Sequence, residues 1–523
     1  LQRLMKYINK PMPTPEITIK DWYKGMSSSP HTYDGAIAKS VNLDIFNYPG
    51  VVRGNFQLFN YGGSTITGQV RWTVPYFSTT GTYTYFALDN SNKVYKSTDG
   101  GRTWSVVTHT GASSGHGNGM AIWKDYLFVA GDDRIDVYGP LSGTPSWTND
   151  FKGLNGNPTA HQVEISWHPM LASSQDNILY IGDLFQLASL QEVSGKTFNP
   201  GDNSTFTWNP TALSIPMVYS IRCLTELRQN ILIGTYQGYR PVDSKKAAIF
   251  PWNRSGTSAY MSFDYPIIIY ECGIHAMKNI DDQVYIVAGN EGKLFKLTES
   301  NLTYLGKPPI DLRDGFIEVY PDAIESIRGR VFVGYSSSDS SPLSFIPGIY
   351  SYDQNSGKFN IENLVSNLAI SNVVIGSLCY NGGYYSGESF LVGWKSGSGT
   401  GAKYGIDSVN SWTYYSPYTS YFETQLFQVG SVLEPANYSQ VEIQLSKPLV
   451  SGDGIRIRMR KDLDTPFGTG NNDSDILATI TSDNYKSASI LAPCRITGVS
   501  QFQLRVEFKG SAEIIEMTLV PST

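Results

Sequence analysis

The apolar positions of this chain fall into short runs, each opened by a polar turn and most closed by a glycine. Asp125-Tyr126-Leu127-Phe128-Val129-Ala130-Gly131 is one such run, and Asn177-Ile178-Leu179-Tyr180-Ile181-Gly182 is the next. Segments 230–234, 283–289, 330–334 and 389–393 repeat the phrase, so that successive closing glycines stand 51, 52, 55, 45 and 59 residues apart. A degenerate copy, 83–88, ends 43 residues before Gly131. Apolar runs this short, bounded by turns, predict strands. Each is preceded by a further strand-like segment, as in Ser220-Ile221-Arg222-Cys223-Leu224 and Gly273-Ile274-His275-Ala276-Met277. Each is followed by an alternating one, as in 292–297 and 348–353.

A period near fifty with three or four short strands per unit predicts blades. A small twisted sheet cannot cover its own apolar faces; radial stacking buries them, and glycine is needed where backbones converge. Seven copies predict a seven-bladed β-propeller over 51–412. The first fifty residues hold Pro11, Pro13, Pro15, Pro30 and Pro49, which predicts an extended N-terminal arm over 1–50. After the Gly/Ser-rich stretch 395–401, clean alternation returns, as in 440–445 and 501–508. That pattern predicts a C-terminal β-sandwich over 413–523. The fold class is all-β.

Composition narrows the function. The net charge of −6 excludes binding of nucleic acid through bulk positive charge. With 41% hydrophobic residues the chain can bury a core, which excludes disorder. No run approaches the roughly 20 apolar residues that span a bilayer, and residues 1–7 lack the apolar stretch of a signal peptide. Cys223, Cys272, Cys379 and Cys494 are too scattered for a metal knuckle or a disulfide framework and read as free core residues. No cofactor motif is present.

Candidate chemistry is sparse. Ser97-Thr98-Asp99-Gly100-Gly101-Arg102-Thr103-Trp104 resembles the Asp-box hairpin of sialidase-like propellers. There Ser97, Asp99, Gly101, Thr103 and Trp104 are expected to be structural: Asp99 bonding across the turn, Gly101 at positive φ, Trp104 between blades. A sialidase would need an arginine clamp and several such boxes. Arg53 and Arg71 sit in unrelated contexts, so no catalytic residue is expected. Two oxygen clusters, Asp132, Asp133, Asp136 and Asp473, Asp475, are the weak candidates for a hard cation, but neither has a calcium-loop spacing. They read as solvated turns. His109 and His116 lie in a Gly-rich loop that could bind a metal or an anion. With no acidic or Cys partner at ligand spacing, it reads as a mobile inter-strand loop. His161 and His168, seven apart, would take opposite faces of a strand. The stripe Arg456, Arg458, Arg460 and the loop tyrosines Tyr384, Tyr385, Tyr414, Tyr415 and Tyr418 form the candidate interaction surface.

The stretch 41–52, Val-Asn-Leu-Asp-Ile-Phe-Asn-Tyr-Pro-Gly-Val-Val, with the residues from Tyr33 before it, resembles the lead-in segment of propeller-type virion proteins of tailed bacteriophages. That resemblance implies a non-enzymatic structural protein of the virion, a tail or tail-hub/adaptor component. Its implied partners are other virion proteins or copies of itself. The alternative reading is a secreted or cell-surface propeller that binds or cleaves carbohydrate, with a host glycan as its ligand.

Overall fold

A computed structural model describes residues 14–20, 22–27, 37–48, 50–78, 81–109, 115–155, 165–254, 265–299, 301–308, 316–327, 329–337, 345–366, 372–382, 390–415, 417–430 and 435–522. The chain divides into two compact units. One comprises 58–351 and 365–409, the other 1–57, 352–364 and 410–523.

The first unit is the propeller, and its described residues form seven blades. Blades 1 to 5 are consecutive antiparallel four-stranded sheets. Their inner strands are Val70–Phe77, Gly119–Trp123, Met170–Ala172, Tyr219–Leu227 and Ile274–Ile280. Blade 6 runs from Ile324–Ile327 through Arg330–Ser337 to Gly348–Asp353. Blade 7 contributes Val374–Tyr380, Phe390–Ser396 and Lys403–Tyr414, and takes its outer strand, Phe56–Asn60, from the start of the chain. The ring therefore closes by pairing early residues with late ones, which ties the first blade to the last.

The apolar clusters lie between blades, as radial stacking requires. Phe128, Ile135 and Val137 of blade 2 pack with Leu179, Ile181 and Leu190 of blade 3. Tyr85, Ala87 and Tyr95 of blade 1 pack with Cys379, Leu391 and Ile406 of blade 7. Four of the closing glycines have a steric reason. A Cβ on Gly182 would strike Ile221 of blade 4, and one on Gly234 would strike Met277 of blade 5. On Gly334 it would strike Ile375 of blade 7, and on Gly393 it would strike Val70 of blade 1. Each second strand is thus bare where the next inner strand lies against it.

The hairpin 97–104 holds blade 1 to blade 7. Asp99 accepts from the Thr103 N–H at 2.8 Å, the Thr103 hydroxyl at 2.6 Å and the Ser97 hydroxyl at 2.8 Å. Gly101 sits at φ 86°, and a Cβ there would run into Leu391 of blade 7. Trp104 donates to the Gly101 carbonyl at 3.0 Å and is buried in the cluster shared by the two blades.

The second unit is built from two sheets. One holds Ile17–Ile19, Leu43–Asp44, Val52–Gly54, Glu513–Pro521, Ala436–Leu445 and Ser489–Val499. The other includes Lys39–Val41, Ser420–Glu423, Gln501–Lys509, Gly454–Arg460 and Ile476–Thr481. Lys358–Asn363 adds a parallel strand beside Lys39–Val41, with Val41 opposite Ile361. The described part of 1–50 thus departs from an extended arm. Val41, Leu43 and Ile45 are fully buried, and Asn42 and Asp44 between them are buried too, a burial on both faces that outweighs the prolines around it. The division also differs from a contiguous 51–412, because 352–364 groups with this unit, although Lys358–Asn363 still pairs with Gly348–Asp353 as the next strand of blade 6.

Gly393→Val should lower unfolding stability by about 1–3 kcal/mol, as overpacking does. Gly401→Ala, with nothing within 4 Å of the new Cβ, should change it by less than about 0.5 kcal/mol. Urea unfolding of the two variants checks the contrast.

Candidate functional site

The inner strands carry a recurring irregularity. In blade 1, Val70 pairs with Asp89 and Trp72 with Leu88, so Arg71 is skipped. Blade 4 skips Arg222 between Ile221 and Cys223, blade 5 skips His275, and blade 7 skips Gly376. A bulge of this kind re-aims the unpaired side chain. In blades 2, 3 and 6 the equivalent residues are Asn118, His168 and Asp322. They are identified by the bonds beside them: Gly119 opposite Ala130, Gly182 N–H to the Pro169 carbonyl, and Gly334 N–H to the Ala323 carbonyl. One residue per blade is therefore set at the axis, and six of the seven are polar.

Side chains from this level meet across the ring. Arg71 donates to Asn118 Oδ1 at 3.2 Å. Arg222 donates to Glu318 Oε1 at 3.3 Å, to the Val319 carbonyl at 3.3 Å and to the His275 carbonyl at 3.5 Å. Both guanidiniums stand over the indole of Trp167, at 5.2 and 4.4 Å from the ring centroid. Cation–π attraction of this kind strengthens as water is excluded. Trp167 also meets Tyr320 edge-on at 5.7 Å and Trp72 at 6.3 Å. The aromatic group plugs the axis at this level.

Burial governs the electrostatics. Arg71 is 5% exposed; burial, with Arg222 adding repulsion, lowers its pKa. Its Nε has no hydrogen-bond partner among the described residues. Burial also pushes the Tyr320 phenol up to about 12. His168 is fixed between the Gly182 carbonyl at 3.0 Å and the Asp132 carbonyl at 3.1 Å. Beyond the plug, a cavity of about 390 Å³ runs along the inner strands. It is lined by Trp72, Met170, Leu171, Leu224, Met277 and Ile324, with Glu226, Lys278 and Asp322 as its charged groups. The axis can accept a small ligand there, or the tip of a partner.

The residues singled out from sequence lie elsewhere. Asp132 accepts from Asn118 at 2.7 Å and pairs with His116 at 3.2 Å. Asp133 pairs with Arg134, and Asp136 accepts the Asp150 N–H. Asp473 and Asp475 receive the buried Arg458 guanidinium at 3.3 and 2.7 Å. Among the described residues no group of three or more His, Cys, Asp or Glu side chains could hold a metal ion. His109 stacks on Trp147 with ring centroids 3.7 Å apart.

The candidate interaction surface is corrected for three residues. Arg456 and Arg458 are buried and share Glu507, at 2.5 and 2.9 Å. They alternate with the apolar positions, but loop 468–475 covers them, with Asn471 and the Gly470 carbonyl accepting from them. Tyr415 is buried, its hydroxyl donating to the Leu364 carbonyl at 2.6 Å. Arg460 and Tyr418 are half-buried, the latter under Arg456 at 3.9 Å, and Tyr414 packs on Phe56. Tyr384, Tyr385 and His161 fall outside the described residues. The axial residues went unread because Arg71, Arg222 and His275 interrupt otherwise ordinary strands, at no fixed distance from the closing glycines.

Burial, with Arg222 beside it, pushes His275 from its ordinary 6.5 to about 3. The folded ring stays neutral while the unfolded chain takes up a proton below 6.5, so stability falls as the pH drops from 6.5 towards 3. His275→Asn should flatten that slope by an amount on the order of a few kcal/mol over the window. Urea midpoints taken at stepped pH measure it, and an unchanged slope would place the titration on another group.

No protein-family model matches the chain, and no curated protein matches it. Solved structures resemble it in architecture. The extracellular domain of the putative hybrid two component system BT4673 from B. thetaiotaomicron is 14% identical over 76% of this chain, with a TM-score of 0.41. This chain spans 45% of that one, under half its length. YCF48 bound to D1 peptide is 11% identical over 70% of this chain and 96% of its own, with a TM-score of 0.42. The Cps50 (Swd1) β-propeller domain of Myceliophteria thermophila is 10% identical over 68% of this chain and 100% of its own, with a TM-score of 0.42. Likenesses this distant assign no function.

Proposed function

We propose that this protein is a non-enzymatic interaction scaffold, and that it serves as a tail or tail-hub component in the virion of a tailed bacteriophage. The observation carrying the scaffold reading is a set of exposed apolar side chains at one end of blade 4. Met217 is 75% exposed, Val218 59%, Tyr239 53% and Tyr270 86%. The pairing brings them to the same end: Tyr219 lies opposite Gln237, Ala247 lies opposite Ile269, and the Gly273 N–H reaches the Pro241 carbonyl at 2.8 Å. Apolar groups gathered this way on a soluble surface mark contact with another protein. The virion reading is supported by the resemblance of 33–52 to phage propeller proteins. Engagement of the axial groups with one another, Arg222 with Glu318 above all, favours a scaffold over a hydrolase.

The test is made on purified phage particles. Mass spectrometry should find the chain in stoichiometric amount, and Met217→Glu with Tyr270→Glu should keep the melting temperature while removing it from particles. Absence of the wild-type chain from particles, or turnover of a fluorogenic sialoside by it, would sink the proposal.

A further inference from the structure

The axial cavity carries an uncompensated carboxyl. Of its charged groups, Glu226 is matched by Arg254 at 2.5 Å. One ammonium, Lys278, stands among two carboxyls: its Nζ lies 3.0 Å from Glu325 Oε2, and Asp322 receives the Thr73 backbone N–H at 2.8 Å. With Lys278 paired to Glu325, Asp322 is left on the cavity wall without an ion pair among the described residues. The remaining wall mixes thioether and aliphatic groups, Met170, Leu224, Met277 and Ile324 among them, with the polar Thr225 and Asn279. Glu226 and Lys278 lie farther along their inner strands than the axial level of Arg222 and His275, at which Asp322 sits. The space therefore has an acidic inner end and sides on which an apolar stripe, Leu224, Met277 and Ile324, stands beside polar groups.

We propose that this cavity binds an aliphatic primary ammonium, with the head group seated on Asp322 and the methylenes lying along Leu224, Met277 and Ile324. Burial raises the Asp322 carboxyl well above the usual carboxylate range, the behaviour of an acid that lacks its counter-ion. A charged head that pairs with it regains what desolvation removes, and a methylene stem gains from leaving water. A volume near 390 Å³ admits a four-carbon chain with room to spare. The lysine side chain of a partner protein and a free polyamine share this chemistry.

Methyl-labelled methionine NMR on the full chain reads the site through Met170 and Met277. n-Butylammonium at neutral pH should shift both methyls saturably, and 1-butanol, the same shape without the charge, should bind at least tenfold more weakly. Asp322→Asn should weaken n-butylammonium at least tenfold, and Lys278→Met, which removes the competing ammonium, should tighten it several-fold. If Asp322→Asn does not fold, the butanol comparison and Lys278→Met decide. No saturable shift, equal binding of butanol, or weaker binding by Lys278→Met would each overturn the inference, as would a folded Asp322→Asn that binds unchanged. Tighter binding of an end-capped lysine than of putrescine assigns the site to a partner's side chain, and the reverse order assigns it to a free polyamine.

Discussion

The ring depends on how closely the inner strand of one blade approaches its neighbours. At Gly376 the backbone of blade 7 lies so near the Val70 carbonyl of blade 1 that no Cβ fits, and Gly119 stands in the same relation to the His168 carbonyl. Contact this close is what lets seven small sheets meet around one axis and bury their faces in each other. It also dictates composition one strand out, where Gly182, Gly234, Gly334 and Gly393 leave room for the next blade. A blade pushed outward by a single methyl would open the clusters on both of its sides, so packing and closure are one constraint.

The same constraint produces the polar axis. An inner strand squeezed between neighbours slips its pairing by one residue, and the skipped side chain turns from the sheet towards the centre. The polar groups collected there are less fully satisfied than those of the other unit. Arg71 Nε, Trp72 Nε1 and His275 Nε2 lack partners among the described residues. In the sandwich, Arg456 and Arg458 spread over Glu507, Asp473, Asp475 and Asn471 and meet carboxylates at short range. Buried arginine in the sandwich is a structural clasp. At the axis it borders a cavity and an acid without an ion pair, the setting in which an incoming group is rewarded.

The blade rhythm could be read from the chain because its cause is local. A strand that ends against a neighbour needs glycine, and the hairpin 97–104 needs its own Asp99 and Gly101, so both leave fixed residues in fixed places. The axial position left no such mark. Hairpin length varies from blade to blade, Gly234 following Arg222 by 12 positions but Gly393 following Gly376 by 17, so a fixed spacing does not find it. The strands of 39–54 were hidden for a different reason. Their partners, 420–423 and 513–521, lie hundreds of residues away, and short strands between prolines carry too little period to announce themselves. Arg456 and Arg458 misled because alternation shows which face a side chain takes but not whether a later loop will cover it.

Two kinds of surface follow from one architecture. The turns at a blade's end are free of the packing that fixes the strands, so Met217, Val218, Tyr239 and Tyr270 can stay apolar and exposed without disturbing the ring. The axial wall has no such freedom, since its residues are set by the bulge and by the blades on either side. A partner that docks on the blade 4 end can be exchanged through changes in the turns alone. A ligand of the axial cavity is recognised by groups, Asp322 and Lys278 among them, whose replacement is constrained by the closure of the ring. Recognition at the turns is thus free to vary, while recognition at the axis is tied to the fold.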